Sequence, residues 1–235
     1  GISSGKFFDF GDKKVNYYDN MFSSQINFEY KWNAAQMSTE AMFEKYNKVL
    51  QSSLKGYGVL NYLSSHDDSQ PYDANRETPI KAGSKLLLSP GTSQVYYGDE
   101  SARSLVIEGT QGDATLRSFM NWEAIQNDVQ TQKVLEHWQK LGRFRVNHPS
   151  VGAGVHQMIS KQPYVFSRSY SKGDYKDVVV VGLDLAVGIK QLDVSKVFRN
   201  GDKLYDVYSE TMTAVIDGKV TIDTAYDLVL LQKQL

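Results

Sequence analysis

Cysteine is absent from the 235 residues, which excludes disulfides, thiolate metal sites and a cysteine nucleophile. That absence says little about compartment, because an exported bacterial protein and a cytosolic one both fit it. No apolar run approaches the roughly 18 residues of a membrane span, so none is expected. Charge of one sign is also missing: 26 Lys and Arg stand against 27 Asp and Glu, a net charge of -1. This balance gives no electrostatic argument for nucleic acid or an anionic membrane. No Gly-x-Gly-x-x-Gly or phosphate-loop motif occurs. The N-terminus, Gly1-Ile2-Ser3-Ser4-Gly5-Lys6, has no signal-peptide pattern. A trimmed chain would lack one too, so location stays open on this ground.

The apolar fraction of 41% and the charged fraction of 23% are those of an ordinary globular protein, large enough for one big domain or two modest ones. Aromatics make up 12%. Rings give the flat faces of sugars broad contact at little entropic cost, although core and strand positions account for most of them.

The first half alternates strand and helix. Ile26 to Tyr30 reads as a strand, and Glu29 is expected inside it as a structural or solvent-facing residue. Ser38 caps a helix whose apolar face is Met42, Phe43, Tyr46, Val49 and Leu50, with Gly56 as a stop. Val59 to Leu63 reads as a second strand, followed by a polar loop from Ser64 to Arg76. Thr78-Pro79 opens a helix, and Gln94-Val95-Tyr96-Tyr97 reads as a third strand. A further helix starts at Asn127 or Asp128, with Val134, Leu135, Trp138 and Leu141 on its face, and stops near His148-Pro149. This is the pattern of a parallel sheet with crossover helices.

From about residue 151 the pattern changes to short strands at 155–160, 164–170, 177–184, 203–208, 213–217 and 226–231. Lys172-Gly173-Asp174, Asn200-Gly201-Asp202 and Asp217-Gly218-Lys219 read as hairpin turns. An antiparallel β-sandwich is expected over 151–235, after a first domain over 1–150 with the boundary at 148–152. Three parallel strands do not close a barrel, and an open parallel edge is sticky. The chain is therefore expected to be a fragment, completed by an N-terminal part of the barrel in cis or as a second chain.

The loop after the second strand carries the chemistry. In barrel enzymes catalytic groups sit at the C-terminal ends of strands, where His66 and Asp67 fall. A carboxylate that accepts and an imidazole that donates can together hold vicinal sugar hydroxyls. Acidic residues after strands also serve as turn formers or caps, and the residues alone leave both readings open.

Leu60-Asn61-Tyr62-Leu63-Ser64-Ser65-His66-Asp67 resembles the strand-seven motif of glycoside hydrolase family 13, the α-amylase family, which usually ends Asn-His-Asp. Leu86 to Glu100, with Pro90-Gly91 and then Tyr96-Tyr97-Gly98-Asp99-Glu100, is similar to the family's strand-eight region. Arg117-Ser118-Phe119-Met120-Asn121-Trp122 resembles its Arg-x-Pro-Met-x-Trp segment, and Leu141 to Pro149 its last barrel helix. The resemblance runs from about residue 25 to the end.

It implies strands six to eight of a partial (β/α)8 TIM barrel followed by an all-β antiparallel sandwich. It implies Asp67 as the third catalytic carboxylate and His66 as a sugar-binding neighbour, with Ser65 in place of the usual Asn. Tyr72 and Arg76 lie on the same face and are expected to line the cleft. Asp99 and Glu100 match a mostly structural motif. The nucleophile and acid/base motifs occur nowhere in this chain, so the chain alone is expected to be inactive. The parent would act on α-glucans, starch or maltooligosaccharides, by a retaining mechanism that needs two carboxyl groups about 5 Å apart. A glucan-transferring family member is one alternative, and a non-catalytic carbohydrate-binding or scaffold protein of the same fold is another. Binding of glucan by the β-domain, through Tyr164, Tyr170 and Tyr175, is a third.

His137 is expected at a surface, His148 at the end of its helix and His156 at the start of a β-domain strand; their spacing matches no zinc pattern. The acidic group Asp68, Asp73, Asp99 and Glu100 is expected to be solvated turns rather than a calcium site. No cofactor is evident in this chain, and the resemblance implies that a calcium site, where the intact parent has one, uses upstream residues. An extracellular, cell-surface or periplasmic location is favoured.

Overall fold

The computed structural model describes residues 2–68 and 70–234. Ser69, in the expected polar loop, lies outside the described residues. The chain separates into two units, Gly1–Gly142 and Arg143–Leu235.

The first unit opens with a small hairpin, β1 (Phe7–Asp9) and β2 (Lys14–Asn16). Then follow β3 (Ser24–Asn27), α1 (Tyr30–Gln36), α2 (Thr39–Gln51), β4 (Gly58–Asn61), α3 (Pro79–Leu87) and β5 (Thr92–Ser93). A 3₁₀ turn, Gly112–Arg117, precedes α4 (Trp122–Asn127) and the long α5 (Val129–Asn147), which runs across the division. Strands β3, β4 and β5 form a parallel sheet in that order.

Buried amides mark the sheet's centre. Asn27 and Asn61 stand opposite each other in register, and Asn27 Nδ2 donates to Asn61 Oδ1 at 2.9 Å. Asn61 Nδ2 in turn donates to the Pro90 carbonyl at 2.9 Å.

Helix α2 forms as its sequence dictates. The Ser38 side chain accepts from Ala41 N at 3.2 Å, and Met42, Phe43 and Tyr46 turn into the core. Two strand expectations need correction. The first strand ends at Asn27, not Tyr30. Tyr30 starts α1 instead, with its ring buried and its hydroxyl donating to the Lys85 carbonyl at 2.6 Å, while Phe28 faces solvent. Glu29 therefore sits past the strand's end, at the N-cap of α1, and accepts from Ser3 Oγ at 2.7 Å. The third strand is only Thr92–Ser93, ahead of the expected stretch. Tyr96 and Tyr97 donate to the Leu116 and Ser118 carbonyls, which draws the segment out of the sheet.

His137 is buried, not at the surface. α5 approaches α3 where Gly83 has no side chain: a Cβ there would meet Trp138 Nε1 at 2.9 Å and the His137 ring at 3.1 Å. Trp138 donates to the Pro79 carbonyl at 3.0 Å, and His137 Nε2 lies 3.1 Å from Ser84 Oγ.

The second unit holds α6 (Pro149–Ala153), β6 (Val155–Ser160), β7 (Tyr164–Lys172), β8 (Tyr175–Leu183), β9 (Gly188–Asp193), β10 (Lys203–Asp206), β11 (Thr211–Ala214), β12 (Lys219–Thr224) and β13 (Val229–Lys233). Six strands form an antiparallel sheet in the order β11-β10-β13-β8-β7-β6, and β9 pairs with β12. Val165, Val180, Leu204, Val229 and Leu231 of the large sheet pack with Leu192, Val220 and Ile222 of the small one, and Phe198 joins them. Burying each such side chain is worth about 1.5–3 kcal/mol.

Lys172-Gly173-Asp174 joins β7 to β8 as a hairpin. Asp217-Gly218 is likewise a tight hairpin turn, closed by Ile216 and Lys219, which exchange backbone hydrogen bonds at 2.9 Å, while the turn at Asn200-Gly201-Asp202 instead carries the chain from the small sheet to the large one. β9 was not expected, because its pattern is inverted: Ile189 points to solvent and Lys190 is buried. The Lys190 ammonium donates to the carbonyls of Gly188, Thr224 and Tyr226 at 3.0, 3.0 and 2.9 Å.

Burial lowers the pKa of His137 to about 4, and burial with the Arg168 charge lowers that of His156 to about 3. Both rings are neutral in the fold, whereas the unfolded chain binds protons below about 6.5. Stability is therefore lost as pH falls from about 6.5, by about 3 kcal/mol for each histidine by about pH 4.5. Urea unfolding at pH 7 and pH 4.5 should show this loss, and His156→Gln should flatten the profile of the second unit. An unchanged slope in that variant counts against the assignment.

Candidate active site

Strand β4 aims its C-terminal end at the loop that carries His66 and Asp67. Tyr62, Leu63, Ser64 and Ser65 continue from the strand as buried residues, and the next two side chains emerge into solvent. His66 and Asp67 are 67% and 63% exposed, so both are free to meet a ligand. His66 Nε2 lies 3.9 Å from Asp67 Oδ2.

Ser65 Oγ donates to Asp67 Oδ1 at 2.8 Å. That hydrogen bond, assisted by the neighbouring His66 and Arg117, lowers the Asp67 pKa below its ordinary value. The carboxylate is thus ionised at neutral pH and able to accept hydrogen bonds from hydroxyls or to face a developing positive charge.

The backbone beneath this pair is pinned. Ser64 Oγ donates to Asp99 Oδ1 at 2.6 Å, and Arg117 Nε donates to the His66 carbonyl at 2.9 Å. Tyr72 N donates to the Leu63 carbonyl at 2.9 Å, which folds the loop back over the strand end.

Arg76 turns inward. Its Nη2 donates to Asp99 Oδ1 at 2.7 Å and its Nε to the Arg103 carbonyl at 2.8 Å. The two side chains of this ion pair are 7% and 1% exposed. Arg76 and Asp73 both adopt positive φ, 57° and 54°, in the tight turn between them. The Tyr72 ring is partly buried, with the Lys85 ammonium 5.8 Å from its centre. Of the four residues expected at the site, His66 and Asp67 come together at the surface, Tyr72 is partly buried, and Arg76 is drawn inward by Asp99.

The acidic residues weighed as a cation cluster are committed separately. Asp68 pairs with Lys31, Asp73 accepts from Glu77 N and Thr78 N, Asp99 pairs with Arg76, and Glu100 accepts from Gly98 N. Among the described residues no group of three His, Cys, Asp or Glu could hold a metal.

Residues that sequence reasoning passed over include Lys31, Ser65 as a partner of Asp67, and Arg117 as a partner of the His66 carbonyl. Arg117 carried a signal through its motif. Lys31 carried none.

In the second unit His148 does more than end a helix. It sits at the N-cap of α6, with Nδ1 2.8 Å from Asp177 Oδ1 and Nε2 2.7 Å from Gln232 Oε1. Tyr164 is buried against His156, while Tyr170 and Tyr175 meet edge to face at 6.3 Å with Tyr175 half exposed.

Three parallel strands with their helices, an antiparallel β-unit after them and a solvent-facing pair at the end of the middle strand form the C-terminal part of an α-amylase-type enzyme fold. No family model matches the chain. Over 179 residues the chain is 36% identical to the periplasmic α-amylase of Escherichia coli (strain K12), a match covering 75% of this chain and 25% of that protein. In fold it matches an Anoxybacillus α-amylase with a TM-score of 0.59 at 19% identity, covering 90% of this chain and 48% of that one. It matches a variant of AmyP solved with maltotriose with a TM-score of 0.62 at 13% identity, covering 89% and 50%. The chain is similar in sequence and fold to the α-amylases of glycoside hydrolase family 13, over their C-terminal portion. It spans about a quarter of the length of the curated relative and about half that of the solved structures. No helix among the described residues is long and apolar enough to cross a membrane.

Proposed function

We propose that this chain supplies the C-terminal barrel strands and β-domain of a glycoside hydrolase acting on α-glucans, with Asp67 as one of its three catalytic carboxylates. The observation that carries this reading is the solvent-facing Asp67–His66 pair at the C-terminal end of β4, in a chain 36% identical to an α-amylase. The neighbour solved with maltotriose supports an oligosaccharide ligand.

In this mechanism the ionised Asp67 accepts hydrogen bonds from vicinal hydroxyls of the sugar at the cleavage point. Its negative charge faces the oxocarbenium-like transition state, where such stabilisation counts most. The His66 imidazole donates to a neighbouring hydroxyl and fixes the ring's rotation. Tyr72 and Arg76 hold the cleft floor. The nucleophile and the proton donor come from residues outside these 235, so the chain by itself turns nothing over. Hydrolysis and transfer share these steps and differ in whether water or a sugar hydroxyl takes the glycosyl group.

The test is turnover of maltoheptaose by the intact polypeptide that contains this chain. Asp67→Asn should lower kcat by about 100-fold, in line with loss of one transition-state contact, with the melting temperature unchanged. A variant that hydrolyses at the parental rate sinks the assignment. An intact parent that binds maltotriose but never cleaves it favours a carbohydrate-binding scaffold instead.

A further inference from the structure

The side chains of His66 and Asp67 are exposed, so apart from the Ser65 hydroxyl at Asp67 Oδ1 their placement comes from the backbone that carries them. On the N-terminal side that backbone is fixed by Ser64 and Ser65, and in the middle by Arg117 at the His66 carbonyl. On the C-terminal side it is fixed from a different strand. Lys31 lies in the first turn of α1, just beyond the end of β3, and its ammonium forms a direct ion pair with Asp68 Oδ1. Both side chains are only 9% exposed. The same carboxylate oxygen accepts from Gln70 N at 3.1 Å, which closes the turn.

Neighbours enclose the pair. The Trp32 ring lies 4.5 Å from the Lys31 ammonium. Tyr62 stands beside both carboxylates, and its hydroxyl pKa is pushed up to about 12 by burial, then by Asp68 and Asp67.

Stripping water from a lysine and an aspartate is costly, and hydrocarbon of the same volume at such a site is commonly as stable or more so. Stability is therefore a poor account of this pair. Directionality is a better one: the pair holds the residue next to Asp67 at one point relative to β3, which a greasy contact would not do. The demand exists, because catalytic groups must be held within about 0.5 Å of the productive geometry.

We propose that Lys31 and Asp68 are a positioning pair that sets the Asp67 carboxylate for reaction. Neither touches the sugar; Lys31 acts through Asp68, and Asp68 through the backbone it shares with Asp67. This rests on the reading of Asp67 given under Proposed function.

The experiment uses the intact polypeptide with maltoheptaose and compares Lys31→Met, Lys31→Arg, the double replacement Lys31→Met with Asp68→Leu, and Asp67→Asn as reference. A misplacement of about 1 Å can cost about 100-fold in rate. Lys31→Met should therefore lower kcat by about 30- to 100-fold while KM moves less than about threefold. Lys31→Arg, which keeps the charge, should recover most of the loss. The double replacement leaves no lone buried charge, so it should melt no lower than the parent and still show the low kcat. Parental kcat in the double variant, with Asp67→Asn slowed by about 100-fold as expected, overturns the positioning role and leaves the site reading intact. Parental turnover in Asp67→Asn removes the site reading, and this inference with it. If Lys31→Met and the double variant both fail to fold, the pair is structural and the proposal is wrong.

Discussion

Arg76→Met is expected to cost about 3–5 kcal/mol, because it strands the Asp99 carboxylate in the interior. Asp99 is 1% exposed, and with the guanidinium gone its Oδ1 keeps, among the described residues, only the Ser64 hydroxyl as a side-chain partner. The Arg103 carbonyl loses its donor as well. Substituting both members, Arg76→Met with Asp99→Leu, removes the lone charge and should recover part of the loss. Urea unfolding of the three proteins checks this, and a single variant as stable as the parent would mean the pair carries no weight. The effect should also reach the surface. Ser64 is two residues before His66, so the methionine variant should shift and broaden the NMR signals of His66 and Asp67.

The second large effect lies in the β-unit. Arg168 is fully buried on β7, with Nε donating to His156 Nδ1 at 3.1 Å, Nη1 donating to the Val151 carbonyl, and the guanidinium over the Phe166 ring at 4.9 Å. Because Nδ1 of His156 accepts, its hydrogen sits on Nε2, which faces the Tyr164 hydroxyl at 3.1 Å. Arg168→Met takes a donor away from two buried acceptors, His156 Nδ1 and the Val151 carbonyl, at about 1–3 kcal/mol each. It also removes the positive charge that adds to burial in holding the His156 pKa at about 3. An NMR titration of the variant should find His156 raised from that value while remaining below its ordinary 6.5, since burial persists. A pKa left unmoved would mean that burial alone sets it.

The sequence made legible whatever rests on local pattern. The periodicity of Met42, Phe43 and Tyr46, the cap at Ser38 and the turn at Gly173 each stand where the pattern puts them. The α-amylase resemblance was legible through motifs such as Leu60 to Asp67. Illegible were the features decided by distant partners. Tyr30 leaves the strand pattern because its hydroxyl has an acceptor 55 residues away, at Lys85. His137 looks like a surface residue until Gly83 lets α5 come close. Lys190 hides a whole strand, since a buried lysine satisfied by three carbonyls looks, in one dimension, like a solvent-facing charge. The pairing of Lys31 with Asp68 spans 37 residues and follows no spacing rule.

The buried amides of Asn27 and Asn61 also bear on how the chain finds its pairing. Parallel strands meet only after the intervening residues have closed a long loop, and an all-aliphatic interface would accept a neighbouring alignment with little complaint. Here a slip of β3 by one residue would separate Asn27 from Asn61, so that the Asn27 amide and Asn61 Oδ1 lose each other while Asn61 Nδ2 keeps the Pro90 carbonyl. Each unmatched amide group costs about 1–3 kcal/mol in such a place. The amides therefore proofread the alignment of β3 on β4. An isosteric leucine pair there would be expected to yield a sheet no less cohesive but more often assembled one residue out of step, with the loop after β4 presenting its side chains to the wrong face.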